Sequence, residues 1–105
     1  MQRPARVKIA GRRWRIEYLR RTEHHVYGMT YYDEHRIVIR DGLLPIEEAD
    51  TLIHEVMHAL IASAGLTIPD TEEEPIVRAI ASTLTGVLAD NPSFRRYINY
   101  LLSRK

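Results

Sequence analysis

The chain changes its hydrophobic rhythm once. Through residue 40 apolar and polar positions alternate, and a period of two reads as strands. Val7-Lys8-Ile9-Ala10 and Trp14-Arg15-Ile16-Glu17-Tyr18 predict two strands joined by a turn at Ala10-Gly11-Arg12-Arg13. Tyr27 to Tyr32 predicts a third strand, Asp33-Glu34-His35 a polar turn, and Arg36-Ile37-Val38-Ile39-Arg40 a fourth strand. The polar segment Arg20 to His25 reads as a loop, and Asp41-Gly42 ends the region.

From Ile46 the period becomes helical. Ile46, Ala49, Leu52, Ile53, Val56, Met57 and Leu60 fall on one stripe. Pro45 suits the first turn and Gly65 the C-terminal stop. A second helix is expected from Thr71, with Ile76, Val77, Ile80, Ala81, Leu84, Val87 and Leu88 as its stripe, until Asn91-Pro92 breaks it. Phe94 to Leu102 predicts a short third helix. Four strands followed by three helices define an α+β arrangement, a small antiparallel sheet packed on the first long helix.

With 105 residues there is room for one core, so residues 1–105 are read as a single domain. The absence of Cys excludes disulfides and thiolate metal sites and fits a reducing compartment such as the cytoplasm. The longest nearly apolar stretch, Ala59 to Ile68, is far short of the roughly 20 residues of a membrane span. Met1-Gln2-Arg3-Pro4 leads directly into alternating Arg and apolar residues, which does not resemble a signal peptide. A net charge of +1 disfavours nucleic-acid binding by bulk charge. That small number conceals an uneven distribution: residues 41–77 hold nine acids and no Lys or Arg, whereas residues 1–40 hold ten basic residues and four acids. A carboxylate-rich neighbourhood attracts cations, although solvated helix faces and helix N-termini also collect acids.

The first helix contains His54-Glu55-Val56-Met57-His58, an H-E-x-x-H sequence. Residues four apart share a helical face, so both imidazoles can reach one metal ion. Glu55 is turned by about 100° from His54 and approaches a water at the metal rather than the metal itself. Zinc held by two His and a carboxylate keeps a position open for water, acidifies it and polarises a carbonyl. Glu55 then serves as general base and returns the proton to the leaving amine. The bland reading is a pair of surface His on an amphipathic helix.

A catalytic zinc site needs a third protein ligand. No further His follows His58 at metal-ligand spacing, which leaves the acidic run Glu72-Glu73-Glu74 at the start of the second helix. An antiparallel helix pair about 8–10 Å apart would bring these side chains to His54 and His58. Asp90, roughly 28 Å along the axis from Thr71, is too far. Helical angles favour Glu73 if the ion lies directly between the helices and Glu74 if it lies beside the contact. Thr71-x-x-Glu74 is also a capping-box pattern, in which Glu74 would only bond backbone amides.

Thr51-Leu52-Ile53-His54-Glu55-Val56-Met57-His58-Ala59, followed by an acidic run and a second helix, resembles the small zincin-like metallopeptidases of phages and bacteria, near the ImmA/IrrE-like group of the gluzincin class. Val87-Leu88-Ala89-Asp90-Asn91-Pro92 is similar to the end of small phage-encoded members. The resemblance implies a zinc-dependent peptidase acting on a protein or peptide. It implies a ligand Glu seven residues before the apolar-Ala pair Ile80-Ala81, which is Glu74, and Arg78 stands where the group usually has an amide. It further implies that an edge strand aligns the substrate, and Arg36 to Arg40 is the candidate. His54, His58 and Glu74 would hold the metal, with Glu55 as catalytic base.

The other histidines, His24, His25 and His35, are expected to be solvated. Trp14 is expected in the core, and Tyr31 and Tyr32 to pack, one of them with access to the cleft. Arg12, Arg13, Arg15, Arg20 and Arg21 are explained most simply by a solvated strand face. The competing function is a non-catalytic binding or assembly module working through its basic N-terminal strands on a protein or nucleic-acid partner.

Overall fold

A computed structural model describes residues 1–105. Strands β1 (Arg6–Ile9), β2 (Arg12–Leu19), β3 (Gly28–Tyr31) and β4 (Arg36–Arg40) precede helices α1 (Pro45–Ser63), α2 (Asp70–Asp90) and α3 (Pro92–Leu102). The expected α+β order holds. The predicted Arg20–His25 loop contains a short 3-10 turn, Glu23–His25.

The sheet runs β1-β2-β4-β3 and is mixed, which corrects the antiparallel expectation. β1 and β2 form one antiparallel hairpin and β3 and β4 another, but β2 and β4 pair in parallel, with Ile16 opposite Ile37 and Tyr18 opposite Ile39. The physical reason is burial: pairing in this register puts Ile16, Ile37 and Ile39 on one face with Trp14 and Ile9, and Ile37 and Ile39 are fully inaccessible. Burying each such side chain is worth about 1.5–3 kcal/mol. A second correction follows. β4 lies inside the sheet, so Arg36–Arg40 offers no free edge; β3 is the edge strand on that side.

α1 alone covers one face of the sheet. α1 lies on it through Leu52, Val56 and Ala59, and α2 packs antiparallel on α1 through the small line Val77, Ala81 and Thr85. Much of both predicted stripes is left outside: Ile46, Leu60, Ile76, Ile80, Leu84 and Val87 are exposed, and Ala49, Ile53, Met57 and Leu88 are half-buried. α3 touches only α2 and buries no residue. No helix is long and apolar enough to cross a membrane.

Candidate metal centre

The site lies where α1 passes beneath the edge strand. Gly28 of β3 makes the approach possible: a Cβ there would lie 2.7 Å from Thr51 Cγ2 and 2.8 Å from Glu55 Cγ. The backbone of β3 therefore rests directly on the α1 turn that carries the motif.

Helical spacing brings the rings of His54 and His58 to 5.0 Å between centroids. The first turns of α2 face them. Glu74 Oε1 lies 2.6 Å from His54 Nε2 and 3.4 Å from His58 Nε2. Glu73 goes elsewhere, with its Oε2 2.6 Å from His58 Nδ1. The choice between the two carboxylates therefore resolves into two positions: Glu74 faces both Nε2 atoms, and Glu73 backs one ring. The capping alternative for Glu74 is absent, because no side chain caps α2 and Glu74 is engaged with the histidines. Pro75 helps to set this turn apart, since it has no N–H to bond the Thr71 carbonyl.

Glu55 is 7% exposed. Thr30 Oγ1 donates to its Oε1 at 2.8 Å and to its backbone carbonyl at 3.1 Å. Its Oε2 lies 3.9 Å from His54 Nε2. Burial pushes the Glu55 carboxyl up, against the Thr30 hydrogen bond and the two imidazoles, which favour the ionised form. Glu74 moves the other way. Its partial desolvation is outweighed by hydrogen bonds and charge from His54 and His58, which hold it below the usual carboxylate range.

The donor set fits a divalent ion. One ligand atom from each of His54, His58 and Glu74 falls within a 4.8 Å group. When His58 donates its Nδ1–H to Glu73, its Nε2 is left as an acceptor facing the Glu74 oxygen. Two acceptors face each other there, and a cation would satisfy both. Tetrahedral zinc with ligand bonds near 2.0–2.1 Å places its ligand atoms about 3.4 Å apart. The His58–Glu74 separation already matches that, and the His54–Glu74 pair would open by somewhat less than 1 Å.

The centre opens on a cleft of about 450 Å³ lined by His25, Tyr27, Asp50, Thr51, Glu55 and Arg78, among others. His25 was expected to be solvated; it is exposed, but it stands at this cleft. His24, also exposed, is not part of it. His35, by contrast, departs from expectation: it is half-buried, its ring meets Trp14 edge-on at 5.0 Å, and it contacts Arg12. Trp14 is in the core as expected. Tyr32 sits beside Glu73 and Glu55, and desolvation together with these carboxylates pushes its hydroxyl up to about 12. Thr30, Gly28 and His25 were not identified as site residues, because only the packing of the β3 region on α1 brings them to the motif; Tyr32, one of the two tyrosines expected to pack with access to the cleft, is exposed and does not line it. No protein family, curated protein sequence or solved structure matches the chain.

Proposed function

We propose that the chain is a zinc-dependent peptidase with a zincin-like arrangement of strand edge and metal-bearing helix. The observation that carries the reading is the meeting of His54, His58 and Glu74 beside a buried, hydrogen-bonded Glu55. His54 Nε2, His58 Nε2 and a Glu74 oxygen would hold the ion. A bound zinc ion would supply Lewis acidity, acidifying a water and polarising a carbonyl. Glu55 Oε2 takes the proton of the attacking water and passes it to the leaving amine, while Thr30 pins Oε1 and fixes the direction of the free oxygen. Glu73 holds the His58 ring by its Nδ1–H, a common arrangement behind metal-binding imidazoles. The free side of β3, next to Gly28 and the cleft, suits an extended peptide that adds to the sheet edge. A protein or peptide substrate and a cytoplasmic setting belong to the same proposal.

The test combines metal analysis with cleavage of a mixed peptide library. Wild type is expected to bind one zinc per chain and to cleave. Glu55→Gln should keep the metal and lose turnover by about 10²–10⁴-fold. His54→Ala should lose both. Cleavage by Glu55→Gln at the wild-type rate would remove the general base. Failure of wild type to bind any divalent ion would remove the enzyme and leave the non-catalytic module as the better reading.

A further inference from the structure

The sheet has a covered face and an open one. α1 is the only helix that touches the strands, and it does so on the side of Ile16, Ile37 and Ile39. Alternation therefore turns Lys8 of β1, Arg13 and Arg15 of β2, and Arg36 and Arg40 of β4 to the other side, which no helix covers. Pairing lines the cations up. Arg15 stands opposite Arg36, and Arg36 opposite Tyr31. Arg6 extends this row from the rim of the sheet, where it is opposite Arg15 and also borders the apolar groove of the covered side. One row thus crosses all four strands in register, and Lys8 opposite Arg13 makes a second row beside it. Glu17 is the only acid among the strand residues, and it is bonded to Arg36. Like charges directly opposed cost a sheet stability. Other cations of the chain find acids: Arg3 reaches Asp41 and Glu48, and Arg36 reaches Glu17 and Glu34. Arg6, Lys8, Arg13 and Arg15 are exposed and form no ion pair.

We propose that this open face binds single-stranded nucleic acid, held through its phosphates by the two cationic rows. Charge selects an anionic polymer. Fixed like charges about 5 Å apart across the strands and 7 Å apart along them are relieved together by a partner that carries charge at every unit. The side chains select nucleic acid among such polymers. Five of the six cations are Arg, whose planar fork grips a phosphate with two parallel bonds. Arg36 lies 4.3 Å from the centre of the Tyr31 ring and gives its N–H groups to Glu17 and Glu34. That leaves the guanidinium face away from the ring for a base to stack on. Stacking there needs an unpaired base, which favours a single strand over a duplex. No large apolar side chain stands among Lys8, Arg13 and Arg15, whereas surfaces that lie in a membrane interface set Leu, Phe or Trp beside their cations. The net charge of +1 conceals the patch, because nine of the acids belong to residues 41–77, a segment that contains α1 and begins α2. None of these cations lines the metal cleft, so the proposal stands whether or not the chain binds zinc.

Fluorescence anisotropy tests it, with labelled single-stranded DNA of about 12 nucleotides and a chelator present to keep the metal centre out of the reading. Neutralising about four phosphates gives a salt slope near −3, so affinity should fall roughly 50-fold between about 50 and 200 mM salt. Arg13→Glu should weaken binding at the lower salt by roughly tenfold or more and flatten the slope. It exchanges a repulsive pair with Lys8 for an attractive one, so a lost signal cannot be put down to unfolding. Arg96→Glu makes the same change in net charge on α3, which touches no strand, and should bind as wild type does. Absence of binding by wild type at the lower salt would overturn the proposal. Equal losses in Arg13→Glu and Arg96→Glu would overturn it in favour of bulk charge. Displacement of the DNA by polyglutamate, by polyphosphate, or by vesicles of phosphatidylserine and phosphatidylcholine at equal charge concentration would also overturn it. The first would assign the face to an acidic protein, the second to phosphate without bases, and the third to a membrane.

Discussion

Glu55 is held from both sides, and each side can be tested with one atom or one charge. Behind it, Gly28 leaves only enough room for the Thr51 and Glu55 side chains. Gly28→Ala places a methyl group at 2.7–2.8 Å from both, one of them a helix-fixed side-chain carbon. Overpacking of this kind costs about 1–3 kcal/mol. The expected result is a lower urea midpoint, together with weakened turnover, because β3 must retreat and carry Thr30 away from Oε1. Unchanged stability would mean that the strand is free to move. Across the site, Glu73 and Glu74 are adjacent in sequence but face different nitrogens. On the proposed function, Glu74→Ala removes a metal ligand. Glu73→Ala removes only the acceptor behind His58 and should weaken zinc affinity by about 10–100-fold. Glu73→Gln keeps an acceptor oxygen and should recover most of that loss in a competition titration with a chromogenic chelator. Equal affinity of Glu73→Ala and wild type would reduce Glu73 to a packing residue.

The helical motif was legible in the sequence because its geometry is local: four residues along α1 fix the relation of His54 to His58 whatever else the chain does. The boundaries of β4, set by Arg36-Ile37-Val38-Ile39-Arg40, were legible for the same reason. Pairing was not. β2 joins β4 in parallel across the intervening β3 hairpin segment, and period-two alternation says which face a residue takes but not which strand lies beside it. The helix stripes were only partly informative. Seven apolar positions on α1 and seven on α2 made stripes wider than one contact can cover, so the contact took the small residues Ala81 and Thr85 and left Ile80 and Leu84 outside. The outer face of the β1–β2 hairpin shows the converse case. The register sets Arg6 opposite Arg15 and Lys8 opposite Arg13, with no acid paired to any of the four. Like charges directly opposed destabilise a hairpin. Arg13→Glu turns the Lys8 pair attractive and should raise stability by about 0.2–1 kcal/mol, read as a higher urea midpoint at low salt, with the gain shrinking as salt rises. No gain would show that the side chains already splay apart in solvent.

The sheet and α1 share a continuous core, but α2 is held to α1 mainly through Val77, Ala81 and Thr85 at one level and the histidine–carboxylate cluster at another. The small residues contribute little apolar area, and the cluster sits on the turn whose backbone Pro75 interrupts. A divalent ion bound by His54 and His58 of α1 and Glu74 of α2 would therefore act as a clamp between the two layers of the molecule. An ion that binds the folded chain alone stabilises it by RT ln(1 + [L]/Kd), about 2.7 kcal/mol at a hundredfold excess over Kd. For a domain of this size that corresponds to a rise in Tm on the order of 10–20 °C. Calorimetry with zinc and with chelator, at one fixed chain concentration so that association does not contribute, should show that rise. Glu55→Gln should show it in full, since Glu55 is not a ligand, and Glu74→Ala should lose most of it. The sign with pH follows from the ligands: imidazole must be unprotonated to bind an ion, so the zinc-dependent part of Tm falls as pH falls, while the zinc-free Tm need not follow. A zinc effect of equal size in wild type and Glu74→Ala would mean that the ion binds somewhere other than between α1 and α2, and the functional reading built on that junction would fall with it.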